Sequence, residues 1–82
     1  MAAKIYSKVL TEVGEELGRA LRKHEKVNSA HEGYAVILEE LDELWDEVKV
    51  RANKRRTKKM RKEAIQVAAM AIRFVLEVCN GD

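Results

Sequence analysis

A length of 82 residues bounds the chain to one small domain that buries only a modest fraction of its surface, and 46% hydrophobic residues with no proline favour long, uninterrupted helices. A net charge of +2 argues against a generically basic protein, and a single cysteine, Cys79, excludes an intrachain disulfide and makes a reducing compartment the default. Residues Lys4, Ile5, Lys8 and Val9 alternate charge and apolarity without the continuous apolar core of a signal peptide, and the longest greasy stretch, residues 64–79, carries Gln66, Arg73 and Glu77. The expectation is a soluble, cytoplasmic protein with no membrane partner.

Three helices are predicted, over about residues 3–25, 30–52 and 57–79, within one helical domain spanning residues 1–82. In the first, Ile5, Val9, Val13, Leu17, Ala20 and Leu21 recur at helical spacing and make one apolar stripe. Gly14 and Gly18 lie one turn apart beside it, which suggests a close approach by another helix; a glycine phosphate cradle would need a loop instead. His24 continues the apolar edge and reads as structural.

Ser29 followed by Glu32 forms a capping box that opens the second helix near Ala30. Its expected core stripe is Tyr34, Ile37, Leu38, Leu41, Leu44, Trp45 and Val48, with Trp45 as packing. At about 100° per residue, Glu40, Glu43 and Glu47 gather on roughly the opposite face. On this helix alone, those acids read first as the wet side of an amphipathic helix. His31 at the helix start reads as a capping or surface residue.

Thr57 is a plausible N-cap for the third helix, which is expected to stop before Gly81. From Ala64 onward that helix is apolar almost all round, apart from a narrow stripe of Gln66, Arg73 and Glu77 that extends backward through Glu63, Lys59 and Arg55. Such a helix must be surrounded, and a three-helix chain leaves one side open. The fold class expected is therefore all-α, three long helices in a bundle completed by homo-oligomerisation, as a dimer or tetramer. Cys79 reads as an apolar filler.

Charge is sorted along the chain. Residues 32–47 carry seven acids and no base, and residues 51–62 carry eight bases and no acid. If the second and third helices fold back antiparallel about Asn53, residues at equal depth have numbers that sum to about 106. Glu43 of a Glu39-Glu40-x-x-Glu43 run then faces Glu63, and Glu40 faces Gln66. Such a knot of carboxylates calls for a cation, and an all-oxygen set suits Mg²⁺, with Mn²⁺ as the other candidate. Metal ligands would be Glu40, Glu43, Glu63 and Gln66. Two such ions can activate water and stabilise charge leaving on a phosphate group. Lys59, Arg55 and Arg73 share the stripe and form a candidate phosphate-binding rim, while most of the eight bases of residues 51–62 read as a solvated hairpin tip, with Lys59 the exception by register. A di-iron carboxylate site is set aside, because it wants Glu-x-x-His pairs and neither His24 nor His31 supplies one.

The runs HEGYAVILEELDELWDEVK and KEAIQVAAMAIRF, together covering about residues 31–74, resemble the MazG-like all-α nucleoside-triphosphate pyrophosphatases. The resemblance implies a helical dimer or tetramer that uses Mg²⁺ to split a nucleoside triphosphate into monophosphate and pyrophosphate. By position it implies Glu39, Glu40, Glu43 and Glu63 as catalytic residues, with Glu39 an additional ligand or a water-orienting base, and Lys59 as a phosphate contact. The chain departs from the pattern at Gln66, where the family usually has aspartate.

Two other function classes remain open on the sequence. One is a non-catalytic helical dimer that binds a nucleotide or a protein, with a degenerate metal site. The other is nucleic-acid binding through the basic turn, ranked last because no aromatic residue is interleaved there for base stacking.

Overall fold

The computed structural model describes residues 2–79, with side chains from Tyr6 onward. Three α-helices, and no strand among those residues, follow one another: α1 (Ala2–Lys23), α2 (Ala30–Val48) and α3 (Thr57–Phe74). A 3-10 turn (Ala52–Lys54) joins α2 to α3, and a π-helical turn (Val75–Cys79) continues α3. The fold class is all-α. No described helix is long and apolar enough to cross a membrane. The side chain of Ile5, and Gly81 as the stop signal, lie outside the described residues.

The hairpin of α2 and α3 is antiparallel, with Gly33 against Phe74 and Val78 at one end and Glu47 against Arg56 at the other. Helix α1 runs parallel to α3: Glu12 pairs with Arg61, and further along both chains the Glu25 carbonyl accepts from Arg73. Val13 and Ala20 of α1 meet Ala69 and Met70 of α3 in the small core, flanked by Val9, Leu17, Val36, Ile37 and Ile65.

Several boundaries differ from the sequence expectation, each for a local reason. Helix α1 stops at Lys23, because the connection after it is drawn onto α3: the Val27 N–H donates to Glu77 Oε1 at 2.8 Å and Arg73 Nη2 donates to Glu25 O at 2.9 Å. Ser29 does cap α2, its Oγ accepting from the Glu32 N–H at 3.1 Å, but the Glu32 carboxylate takes the Asn28 amide instead of closing the box. Helix α2 ends at Val48 rather than near residue 52. There the Arg55 side chain donates to Val48 O at 3.0 Å and Val50 O at 3.1 Å, satisfying carbonyls the helix leaves free. Thr57 is the first residue of α3, not its cap; Arg56 holds the cap position in extended backbone and commits its side chain to Glu47.

The larger correction concerns faces. Of the stripe expected to form the α2 core, Tyr34 (62%), Leu38, Leu41 and Trp45 (58%) are exposed, so Trp45 is not a core residue within the chain. Helix α2 turns Gly33 and Glu47 inward instead, and both are buried. Gly33 explains much of this choice: a Cβ there would stand 2.7 Å from the Phe74 ring, so only glycine permits this approach of the two helices. Gly14 and Gly18 play no such part. A Cβ on Gly14 would meet nothing within 4 Å, and one on Gly18 only the Arg22 side chain. Cys79 is exposed rather than a filler, and His24 and His31 are exposed as well. On α3, Ala69 is fully buried, while Ala64, Ala68, Ala71 and Ile72, with Val75 and Leu76 of the π-helical turn, stay exposed, leaving one side uncovered.

Candidate metal centre

Midway along the hairpin, α2 and α3 bring their polar stripes together. Glu40, Glu43 and Glu63 each offer a carboxylate oxygen, and these atoms lie within 4.8 Å of one another. Glu40 and Glu43 stand one turn apart on α2, and Glu63 enters from α3, buried at 5% exposure. Gln66, one turn after Glu63, brings its amide within 3.0 Å of Glu63 Oε2 and of Glu40 Oε2, and the hydrogen-bonding pattern assigns the nitrogen, which can donate to both, to that side. The depth matching expected from an antiparallel hairpin therefore holds for all four residues.

Three carboxylates at this separation repel one another, and the burial of two of them sharpens the effect. Burial, followed by the neighbouring Glu43, Glu63 and Glu39 charges, pushes the Glu40 carboxyl up to about 7. Burial, and then Glu43, also raises Glu63, opposed by the ammonium of Lys59, whose Nζ stands 3.6 Å from Glu63 Oε1. Beside the cluster is a recess of about 320 Å³ lined by Glu43, Asp46, Glu47, Lys59 and Glu63. Lys59 is thus the one residue of the expected phosphate rim that stands in the recess.

Arg55 and Arg73 do not join it. The Arg55 guanidinium is spent on the Val48 and Val50 carbonyls at and just past the end of α2. Arg73 is buried at the far end of α3, donating to Glu77 Oε2 at 3.0 Å and to the Glu25 carbonyl, because an unpaired guanidinium could not be buried there. The single polar stripe expected on α3 is therefore two clusters: Lys59, Glu63 and Gln66 near the turn, and Arg73 with Glu77 near the chain end. Glu39 is exposed, close enough to raise Glu40 but outside the converging set.

Glu47 was not singled out by the sequence as a site residue. It is buried at 7% exposure, lines the recess, and is held by Arg56 at 3.2 and 2.8 Å through two guanidinium nitrogens. Its signal was present, since it continues the Glu40, Glu43 spacing by one more turn.

The donor set fits a hard divalent cation. Oxygen ligands stand roughly 2.0–2.1 Å from Mg²⁺, so neighbouring ligands of one ion are about 3 Å apart and opposite ones about 4 Å, and the carboxylate oxygens, within 4.8 Å of one another, would draw together round a bound ion. An amide can present either oxygen to a cation or nitrogen to an anion, so Gln66 suits the cluster with or without the ion. No protein-family model, curated protein or solved structure matches the chain.

Proposed function

We propose that the protein is a Mg²⁺-dependent nucleoside-triphosphate pyrophosphohydrolase, adding water across the α–β phosphate linkage of an NTP or dNTP to release the monophosphate and pyrophosphate, and that it works as a homo-oligomer. The observation that carries this reading is the convergence of Glu40, Glu43 and Glu63 with Gln66 at one depth of the hairpin. In it, those four residues hold the metal. Mg²⁺, when bound, supplies the positive charge that the triphosphate oxygens need and acidifies a bound water. Lys59 lies on the rim of the recess, where its ammonium can leave Glu63 for a phosphate oxygen, and Glu39, exposed beside Glu40, would orient water. Arg55 and Arg73 have no part in it.

The test is pyrophosphate detection across a panel of NTPs and dNTPs with Mg²⁺, with Mn²⁺ and with neither. Glu40→Gln and Glu63→Gln are expected to abolish metal-dependent release with helical content intact by circular dichroism. Unchanged turnover in either variant removes the assignment.

A second reading, a non-catalytic helical module that binds a nucleotide or a protein, is favoured by one observation. The Gln66 amide stands 3.0 Å from carboxylate oxygens of both Glu40 and Glu63, where its nitrogen can satisfy the two acids in place of a cation. On that reading Mg²⁺ gives no thermal stabilisation and no nucleotide is turned over.

A further inference from the structure

On α2, the exposed residues Tyr34, Leu38, Leu41 and Trp45 recur at i, i+4, i+7 and i+11, so they form one row. On α3, the exposed residues Ala64, Ala68 and Ala71 recur at the same spacing, and exposed Val75 at the start of the π-helical turn continues the row. Each row stands roughly 120° round its helix from the residues that face the other helix, Gly33 and Glu40 on α2, Glu63 and Met70 on α3, and in the same rotational sense. In an antiparallel pair this puts both rows on one face of the hairpin. That face carries a bulky row beside a small, flat one, and neither row contains a charge.

We infer that a second copy of this chain covers this face, with a two-fold axis running along the hairpins between the two copies. That axis sets α2 of each copy against α3 of the other, antiparallel, so the bulky row of one lies along the alanine row of the other and four helices enclose a new core. The surface is self-complementary in this arrangement alone: bulky on bulky would hold the alanine rows apart. The two rows leave on the order of 700 Å² exposed, close to the roughly 800 Å² per partner that a standard interface buries. The exposed large apolar residues of α1, Tyr6, Leu10 and Leu21, lie outside both rows. This deepens the oligomer named in the proposed function, but it stands on the apolar face and not on the acids, so it is tested without metal or nucleotide.

Trp45 is the chain's single tryptophan and sits within the bulky row, which makes the interface directly readable. Light scattering at high micromolar concentration is expected to give twice the chain mass. Trp45 emission should be blue-shifted and shielded from acrylamide there, and should turn red-shifted and quenchable on dilution, as the dimer dissociates. Leu41→Glu and Ala68→Glu are each expected to give a monomer, while Leu10→Glu on α1 stays dimeric. A wild-type monomer at every concentration overturns the inference, as does a dimer in which Trp45 stays fully quenchable or which only Leu10→Glu breaks. Should both hairpin variants fail to fold, the wild-type mass and Trp45 quenching still decide the matter. Loss of pyrophosphate release with the dimer intact would strike the enzymatic reading alone.

Discussion

Gln66 reaches Glu40 and Glu63 with one amide nitrogen, 3.0 Å from each, so in the metal-free protein two like charges share a single donor. Replacing it by a carboxylate acts in opposite directions on the two states. Gln66→Asp is expected to destabilise the metal-free protein by roughly 1–3 kcal/mol, since a donor is lost and a further like charge added. The same charge should raise Mg²⁺ affinity, about tenfold for each 1.4 kcal/mol recovered. Urea unfolding and calorimetric titration read the two effects separately; unchanged Mg²⁺ affinity would take position 66 out of the coordination shell. Glu40 gives a pH signature of the same site. Its folded value of about 7 lies above the ordinary 4.5, so the folded state binds the proton more tightly than the unfolded one. Metal-free stability is therefore lowest above pH 7 and is gained as pH falls from about 7 toward 4.5. Glu63, also raised, adds in the same sense. Thermal melts with EDTA at pH 8 and near pH 5.5 should show the rise, and saturating Mg²⁺ at pH 8 should abolish the deficit. Equal melting temperatures at both pH values would mean the three carboxylates do not feel one another.

At the scale of elements, the α1–α2 connection is held by one buried ion pair on α3. Arg73 and Glu77 bond to each other and to the backbone at Glu25 and Val27, and Glu77 is held below the usual carboxylate range: burial raises it, but the Val27 N–H and the Arg73 guanidinium together outweigh that. Removing one partner strands the other, so Arg73→Met is expected to cost roughly 3–5 kcal/mol by urea unfolding. The double variant Arg73→Met, Glu77→Met should cost less than that single one. Additive losses in the pair would show that no coupling exists. Glu77 has the opposite pH sign to Glu40: its contribution is present above the ordinary carboxylate value and is lost as pH falls through its lower folded value. Gly33→Ala tests the close approach. The gain in helix propensity, about 1 kcal/mol, is set against 1–3 kcal/mol of overpacking on Phe74, so a net loss of roughly 1 kcal/mol is expected.

These elements show what was legible in the amino-acid pattern and what was not. Helical spacing and the Ser29 cap located three helices, and equal depth about Asn53 brought Glu40, Glu43, Glu63 and Gln66 together, because both follow from local geometry that tertiary packing left undisturbed. Faces were harder. The most apolar side of α2 looked like its core side, yet a glycine and a buried glutamate point inward, since Phe74 needs the space at Gly33 and Arg56 neutralises Glu47. Arg73 looked like a rim residue by register, but a position on a stripe does not say whether a partner such as Glu77 waits on the next turn.

For the molecule as a whole, two separable sources of stability are expected, one from each side of the α2–α3 hairpin's chemistry. Folding of a dimer from two unfolded chains depends on protein concentration, so each tenfold increase adds about 1.4 kcal/mol per mole of dimer. Mg²⁺ adds its own contribution, about 2.7 kcal/mol for each site at a hundred times its dissociation constant. For a domain of this size 1 kcal/mol per chain moves the melting temperature by roughly 4–8 °C, so both effects are large enough to resolve. Melting curves over a hundredfold range of protein concentration, with EDTA and with Mg²⁺, should therefore give two rising lines separated by a near-constant gap. A gap without slope would leave a metal-binding monomer and discard the hairpin interface. Slope without a gap would leave a dimer whose carboxylates are satisfied by Gln66 and Lys59, and would favour the non-catalytic reading. Lines that converge at high protein concentration would mean that dimerisation and metal binding compete, which an interface on the face of Trp45 and Ala68, clear of Glu43 and Lys59, does not permit.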